Sequence, residues 1–387
     1  MSMHYWKVSL VCHSPVFVGS GKKFMKSQYI YDKNERKVLF LDETGWIRFL
    51  TKHGIFDDFS TSLLSNPVYF NLFSYISRQS ELRHKYGSVR NILYTLKQEG
   101  VILRAEPFEG NYAKGPKDIH GFTLDVYGKP YIPGSSLKGA FRTAILTHHI
   151  LQNRRMYRKD WENLKRATGK KWDMGKAMKE LEQRLTIPLN ENGNGNMVNS
   201  YFRGISVSDA KLVSGGLCIA PKIDLGLHTT RPHEVRNLFR EALTLGSKLE
   251  FTLGIDDSES AMGHFGIHGF NDFQKILQNF VNFQYEVLKI PFEPYAQDEL
   301  GDIRHAKNAD LILGGGAGYI SKSLLYALAP SRAEAVYVVR KLMESLFKNG
   351  HHYKDRDISP HTLKLAESEG NNYLMGLCYL EGAKTLC

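Results

Sequence analysis

The sequence predicts an α+β fold, and three observations support this class. The start of the chain alternates between apolar and polar residues with the period of two that a half-buried strand requires. Later segments place apolar residues at the spacing of helices that bury one face. The strand-like and helix-like segments do not follow the regular spacing of a doubly wound sheet. With 387 residues, 42% of them hydrophobic, the chain is long enough for two or more packed units.

The first predicted element is a strand over residues 5–13. It continues into a loop with the sequence SPVFVGSGKK, residues 14–23. Every second residue of the strand is apolar, which predicts that one face is buried. The residues of this face are Trp6, Val8, Leu10 and Cys12.

A hairpin and a set of helices are predicted next. Residues 29–31 and 37–42 flank the polar stretch 32–35, whose composition suits a tight turn. A helix follows from Thr44, a candidate cap residue. Residues 60–100 are predicted to be mostly helical, without clear boundaries.

A basic segment interrupts the middle of the chain. Residues 152–184 contain 11 Lys and Arg against 5 Asp and Glu, a composition that favours exposed helices. A solvated helix face explains such charge without a ligand, and contact with RNA is the alternative. The tract 190–196 is rich in asparagine and glycine and is predicted to be mobile. Together they indicate an insertion at about 152–200.

Strand character returns at 204–209, 217–225 and 248–255, where β-branched residues and alternation recur. Between the last two strands, the sequence predicts a helix over 232–245 that ends at Gly246.

Two longer helices are predicted in the last third of the chain, over 270–288 and 332–348. The aromatic residues of the first have helical spacing, which favours a buried stripe over a surface that stacks nucleobases. The predicted buried residues are Phe273, Ile276, Leu277, Phe280 and Phe283 in the first helix, and Val336, Val339, Met343, Leu346 and Phe347 in the second.

Charge and composition limit the classes of function. The formal net charge of +11 favours a polyanionic partner. No apolar run approaches the length of a membrane span, and residues 1–19 lack the pattern of a signal peptide, so we expect a cytoplasmic protein. The four cysteines form no C-x-x-C pair, so neither a disulfide framework nor a zinc site is predicted. They are Cys12, Cys218, Cys378 and Cys387.

The most specific segment is YIPGSSLKGAFRT, residues 131–143. Ser135 or Ser136 is predicted to cap a helix, whose free N–H groups favour an anion. Lys138 and Arg142 lie four residues apart and flank the apolar stripe, so both could reach one phosphate backbone. An ordinary capped helix with a solvated basic edge is the alternative.

Two glycine-bearing segments add to this pattern. Residues 313–322 read LGGGAGYISK, in which four glycines allow a backbone to pass close to a ligand. The spacing is not that of a Walker A loop or a dinucleotide-binding fingerprint, which argues against nucleotide hydrolysis. Residues 18–23 read VGSGKK and are by themselves an ordinary turn.

Taken in this order, the three segments and the strand end at 207–209 resemble the RAMP superfamily of CRISPR proteins. Within it, they look like the fifth-subunit family of the type III-A Csm effector complexes. The resemblance implies a ferredoxin-like or RRM-like core with helical insertions. The domains would be residues 1–260, an RRM-like unit with the insertion, and residues 261–387, a helix-rich unit that carries the glycine loop.

The resemblance also implies partners: the 3′ region of a single-stranded crRNA, neighbouring Csm backbone subunits and the small subunit. From the sequence itself, no membrane partner and no cofactor or metal is expected. The chain would cap the backbone filament and support crRNA maturation and antiviral interference. It would contact the RNA backbone without reading bases. The residues implied to bind RNA or support its loops are Gly19, Gly21, Lys22, Lys23, Ser135, Ser136, Lys138, Gly139, Arg142, Gly314, Gly316, Gly318 and Lys322.

No catalytic residue is predicted, and a metal-independent endoribonuclease that processes CRISPR RNA is the alternative function. Asp32 is the candidate for an acidic catalytic residue, but ordinary turn chemistry explains it. His13, and the pair His264 and His268, are the histidine candidates for acid–base chemistry. The pair lies among glycines, which predicts a loop rather than the helical face of a metal site.

Overall fold

The computed structural model describes residues 3–110, 116–168, 171–187, 200–227, 233–298 and 309–386. The predicted mixture of helices and strands is confirmed in these ranges. The predicted mobile tract 190–196 and Cys387 lie outside the described residues. The strands are β1 (Met3–Cys12), β2 (Gly19–Met25), β3 (Tyr29–Asp32), β4 (Lys37–Leu41), β5 (Ile102–Pro107), β6 (Asp118–Phe122), β7 (Tyr131–Ile132), β8 (Ile205–Val207), β9 (Ala210–Ser214), β10 (Leu217–Gly226), β11 (His233–Leu243), β12 (Lys248–Asp256), β13 (Leu311–Ile312), β14 (Thr362–Ser368), β15 (Asn371–Leu374) and β16 (Leu377–Leu386).

The helices alternate irregularly with these strands. They are α1 (Glu43–Lys52), α2 (Phe56–Ser65), α3 (Leu72–Arg78), α4 (Ser80–Tyr86), α5 (Val89–Gln98), α6 (Gly134–Gln152), α7 (Arg158–Ala167), α8 (Lys171–Thr186), α9 (Phe270–Phe292), α10 (Leu325–Leu328) and α11 (Arg332–Leu346). None of the helices in the described ranges is long and apolar enough to cross a membrane.

Two large sheets and one small sheet organise the strands. The first large sheet has the order β13-β16-β1-β12-β9-β7, with β8 also paired to β12. The second has the order β15-β14-β10-β11-β6-β2, and the small sheet has the order β3-β4-β5. Strands from both sides of residue 260, where the sequence predicts a domain boundary, pair directly, because β1 pairs with β16 and β10 with β14.

The N-terminal predictions are confirmed, with one correction at a helix start. The first strand and the hairpin form as expected, and residues 60–100 are mostly helical. Helix α1, however, is capped by Asp42 and not by Thr44, because the Gly45 amide donates to Asp42 Oδ2 at 2.6 Å. Helices α1 to α5 close a separate small core that includes Trp46, Phe49 and Leu96.

The predicted helix over 232–245 is wrong, because this segment is strand β11. It pairs antiparallel with β10 and parallel with β6, so it lies inside the second large sheet. The hydrogen bonds of two neighbouring strands decide the structure against the local helical spacing, which is the usual way in which tertiary context overrides propensity.

The main core lies between the large sheets and the long helices. Phe141 of α6 and Phe273 of α9 are fully buried, and their rings meet edge to face with centroids 4.9 Å apart. The predicted helices over 270–288 and 332–348 are confirmed. In the second, Leu346 and Phe347 are exposed rather than buried.

The basic segment forms helices, as predicted, but it is not wholly exposed. Trp161 and Leu164 of α7 and Leu181 of α8 are buried in the main core. The Trp161 indole donates to Glu334 Oε2 at 2.6 Å, which ties α7 to α11. The charged residues of the segment therefore cover an apolar face instead of forming an independent arm.

Candidate nucleic-acid interface

The loop at 14–23 and the glycine-rich segment 313–322 meet in space. The Gly315 amide donates to the Phe17 carbonyl at 2.7 Å, and the Gly376 amide donates to the Pro15 carbonyl at 3.0 Å. Gly314 has φ +85°, and a Cβ there would overlap the Phe17 carbonyl oxygen. Glycine is therefore required at this position by both backbone conformation and space.

Segment 131–143 is connected to the loop at 14–23 through Thr123. The Val18 carbonyl accepts hydrogen bonds from the Thr123 amide at 3.0 Å and the Thr123 hydroxyl at 3.1 Å. The Thr123 carbonyl in turn accepts from the Tyr131 amide at 3.2 Å. The start of segment 131–143 thus lies beside the first turn.

Helix α6 begins without the predicted serine cap. Its N-cap residue is Pro133, and the Gly134 amide donates instead to Asp209 Oδ1 at 2.8 Å. The prediction that Ser135 or Ser136 caps the helix is wrong, because a carboxylate from a distant strand end takes that place. Ser135 is exposed and Ser136 half-buried, so both hydroxyls are at or near the surface.

The two predicted basic residues of α6 contact protein groups. Lys138 Nζ donates to the Ile205 carbonyl at 2.7 Å, and desolvation lowers its pKa. Arg142 pairs with Glu182 of α8 at 3.1 Å. Lys138 therefore contacts strand β8, and Arg142 contacts the inserted helix α8, rather than the place where the glycine-bearing turns meet. Gly139 is exposed, with open space where a Cβ would stand.

The predicted residues of segment 18–23 lie on an edge strand. Gly19, Gly21, Lys22 and Lys23 are exposed in β2, the last strand of the second large sheet. Gly21 has φ +83° where the register between β2 and β6 shifts. Lys23 Nζ lies 3.1 Å from Asp118, whereas the Lys22 side chain has no hydrogen-bond or ion-pair partner within the described ranges.

A row of basic residues crosses the second sheet next to this edge. Lys23 of β2 is opposite His120 of β6, and His120 is opposite Arg240 of β11. Directly opposed residues of neighbouring strands share one face of a sheet. We call Lys23, His120 and Arg240 the basic row. The pKa of His120 is lowered, first by burial and then by the charges of Arg240 and Lys23.

The glycine-rich loop covers the inner end of the basic row. A Cβ at Gly316 would stand 2.8 Å from Arg240 Nη1 and 2.6 Å from Met375 Sδ. Arg240 lies over the Phe17 ring at 5.4 Å, and its Nη1 is 3.4 Å from Met375 Sδ. Desolvation lowers the pKa of Arg240. Asp224 is the acidic group whose charge acts on Arg240, and within the described residues the guanidinium's one hydrogen bond goes to Met375 Sδ. Its other N–H groups could donate to an anion.

Lys322 extends this positive region beyond the loop. It is exposed, and partial desolvation followed by repulsion from Arg240 lowers its pKa. Its Nζ has no hydrogen-bonded partner in the part of the chain that is described. Of the predicted residues, Gly314 and Gly316 therefore join Gly19, Gly21 and Lys23 around the basic row, with Gly318 and Lys322 following on the same loop.

Two residues of this interface were missed in the sequence. Arg240 was not predicted, because the helical spacing of residues 232–245 indicated a helix. Arg240 lies beside His120 only because the segment is a strand. His120 has no motif around it. No signal in the sequence marked either residue, because 238–242 reads LFREA, without the apolar–polar alternation of a half-buried strand.

The alternative catalytic residues have structural partners. Asp32 Oδ1 accepts hydrogen bonds from the amides of Asn34 at 3.0 Å and Glu35 at 3.3 Å, which confirms its interpretation as a turn residue. His13 meets the edge of the Tyr379 ring. His264 stacks on Tyr201 with centroids 3.9 Å apart.

Comparison with known proteins identifies the family of the chain. The family model of the RAMP superfamily matches residues 9–318, and the chain belongs to that superfamily. Similar curated proteins carry the name CRISPR system Cms protein Csm5. The relative from Enterococcus italicus is 24% identical over 398 residues, covering 97% of each chain. The relative from Streptococcus thermophilus is 26% identical over 264 residues, covering 66% of this chain and 65% of the relative. The predicted resemblance to the fifth Csm subunit is thereby confirmed.

Solved structures show the same fold. A chain from the cryo-EM structure of a type III-A Csm–crRNA–target RNA ternary complex matches with a TM-score of 0.65 and 17% identity, covering 97% of this chain and 100% of the other. The crystal structure of T. onnurineus Csm5 matches with a TM-score of 0.57 and 16% identity, covering 96% of this chain and 99% of the other.

Proposed function

We propose that this chain is a non-catalytic crRNA-binding subunit of a type III-A Csm effector complex. The observation that carries the proposal is the basic row with Lys322, arranged around a glycine-rich loop. The relatives named Csm5, and the fold shared with a chain of a Csm–crRNA–target RNA complex, support the choice of partner. A ferredoxin-like or RRM-like origin of the two large sheets belongs to the same proposal, as does action in the cytoplasm.

The chemistry of the interface favours contact with the RNA backbone. Arg240 and Lys322 supply cationic donors for phosphate oxygens, and the loop at 314–318 lets a strand approach the main chain closely. No base-reading arrangement is needed for this contact. The subunit would accept guides of any sequence.

The position in the complex is the second part of the proposal. The chain caps the backbone filament near the 3′ part of the crRNA and contacts a neighbouring backbone subunit and the small subunit. Complex reconstituted with crRNA that carries a photo-crosslinking nucleotide in either its 5′ or its 3′ half distinguishes the two ends. Crosslinks to this chain are expected from the 3′ half, and crosslinks from the 5′ half alone would refute the position.

Salt-dependent binding of labelled single-stranded RNA tests the interface. Each of Arg240→Met and Lys322→Met is expected to reduce the magnitude of the log–log salt slope by about 0.7, the value for one phosphate contact on a single strand. Lys52→Met is the matched control, because Lys52 is exposed on the separate helical core and pairs with Glu99 at 2.7 Å. Slopes that fall equally in all three variants would refute the interface.

The same reactions test the absence of catalysis. Labelled RNA is expected to stay intact during incubation with the purified chain. Discrete fragments that disappear with His13→Ala or Asp32→Ala would establish the alternative endoribonuclease instead.

A further inference from the structure

We propose that His352, Asp355 and His361 form a binding site for a divalent transition-metal ion of the zinc class. The Asp355 carboxylate lies between the two imidazoles: Oδ2 is 3.1 Å from His352 Nδ1, and Oδ1 is 2.6 Å from His361 Nδ1. One ligand atom from each residue lies within 4.8 Å of the others.

The ligand types and spacing suit this ion. Zinc binds histidine nitrogen and carboxylate oxygen at about 2 Å, so ligand atoms on one ion stand roughly 3 Å apart. The nitrogen–oxygen distances of the cluster are already close to that value. Without metal, each Nδ1–H donates to the carboxylate. With metal, each Nδ1 coordinates the ion, and its hydrogen moves to Nε2 of the same ring.

Burial explains why the carboxylate needs such partners. Asp355 is 0% exposed and His352 is 8% exposed. A buried carboxylate is costly unless it is paired or binds a metal. The two imidazoles satisfy one part of this need, and an ion would neutralise the negative charge more completely.

The surrounding structure holds the ligand-bearing segment in place. Tyr326 fixes it from α10, because its hydroxyl donates to the Ser359 carbonyl at 2.8 Å and accepts from the Ser359 amide at 3.0 Å. Gly350 allows the His352 ring to lie against the main chain, since a Cβ there would be 2.7 Å from Nε2 and Cδ2. Ligands held by such outer contacts are pre-positioned for an ion.

The site also has an entry path. His352 and His361 line a cavity of about 700 Å³, whose wall includes Leu374 and the loop residues Gly318 and Ser321. Three protein ligands leave a fourth position for water or another donor, which is the arrangement of zinc sites with an open coordination position. The cavity supplies room for that donor.

Metal titration of the tag-free full-length chain tests the site. After removal of metal with a chelator, Co²⁺ alone and then Zn²⁺ alone are added, followed by visible absorption and by metal content. We expect one ion per chain, tetrahedral Co²⁺ bands that Zn²⁺ abolishes, and a higher thermal midpoint with Zn²⁺. Asp355→Asn and the double change His352→Gln with His361→Gln are expected to weaken binding at least tenfold.

Two controls keep the outcome decisive. His351→Gln removes the exposed neighbouring histidine and is expected to retain wild-type affinity. Gly350→Ala displaces the His352 ring while it keeps all three ligands, so it is expected to weaken binding in a chain whose circular dichroism is unchanged. Wild-type chain that shows no tetrahedral Co²⁺ bands, or a double variant that binds as tightly as wild type, would overturn the proposal. The readout is independent of RNA binding.

Discussion

The Gly315 amide donates a hydrogen bond of 2.7 Å to the Phe17 carbonyl, which joins two turns that lie far apart in the sequence. This bond requires the chain to pass very close to Phe17 at Gly314, where φ is +85°. The loop that follows then reaches Arg240 through Gly316. One backbone contact thus positions the glycine-rich loop against the basic row.

Gly314 and Gly318 are expected to differ in their tolerance of alanine. Both have positive φ, at +85° and +88°, but only Gly314 lacks space for a Cβ. Gly318→Ala should lower the free energy of unfolding by about 1 kcal/mol through backbone strain, and Gly314→Ala by about 3 kcal/mol because steric overlap is added. Urea unfolding measures both. Equal losses would show that the approach to Phe17 is not tight.

Lys138 is expected to act in stability more than in RNA affinity. Its Nζ donates to the Ile205 carbonyl at 2.7 Å, so Lys138→Met should lower the free energy of unfolding by about 1 kcal/mol. The salt slope of RNA binding should stay at the wild-type value. A slope reduced by about 0.7 would instead show that Lys138 contacts a phosphate, as the sequence predicts.

His149 is expected to make the fold less stable in acid. Burial, with smaller contributions from His264 and His148, lowers the pKa of His149 from its usual 6.5 to about 4. Between these values the unfolded chain binds the proton more strongly, so the free energy of unfolding falls as the pH falls from about 6.5 towards 4.

Urea unfolding of wild type and His149→Gln tests this. Between pH 7 and pH 5, the free energy of unfolding of the wild-type chain should fall by on the order of 1 kcal/mol more than that of the variant. This value is reduced because solvent partly screens the charge on His149. Between pH 7 and pH 8 the free energy of unfolding of the two proteins should depend on pH in the same way. Parallel curves over the whole range would contradict the assignment.

The start of α1 offers a test of helix capping. Asp42→Ala should cost about 1 kcal/mol, because Asp42 Oδ2 accepts from the Gly45 amide at 2.6 Å. Thr44→Ala is the matched control and should change stability by less than about 0.5 kcal/mol, since Thr44 is exposed within the first turn. A larger loss of stability in Thr44→Ala than in Asp42→Ala would show that Thr44 caps the helix, as the sequence predicts.

The sequence by itself determined the elements whose periodicity is strong. The alternation of β1 and the aromatic stripe of α9 identified a strand and a helix, because burial of one face imposes a period that local sequence records. The three glycine-bearing segments also identified the superfamily. Turn residues such as Asp32 were interpreted correctly because their hydrogen bonds are local.

Only the tertiary structure decided which basic residues come together. Arg240 lies beside His120 because strands β6 and β10 both bond to β11, and that pairing also made a strand of a segment with helical spacing. Lys138 and Asp209 likewise find partners far along the chain. Long-range hydrogen bonds and ion pairs leave no period in local sequence, so the composition could indicate a basic interface but not its members.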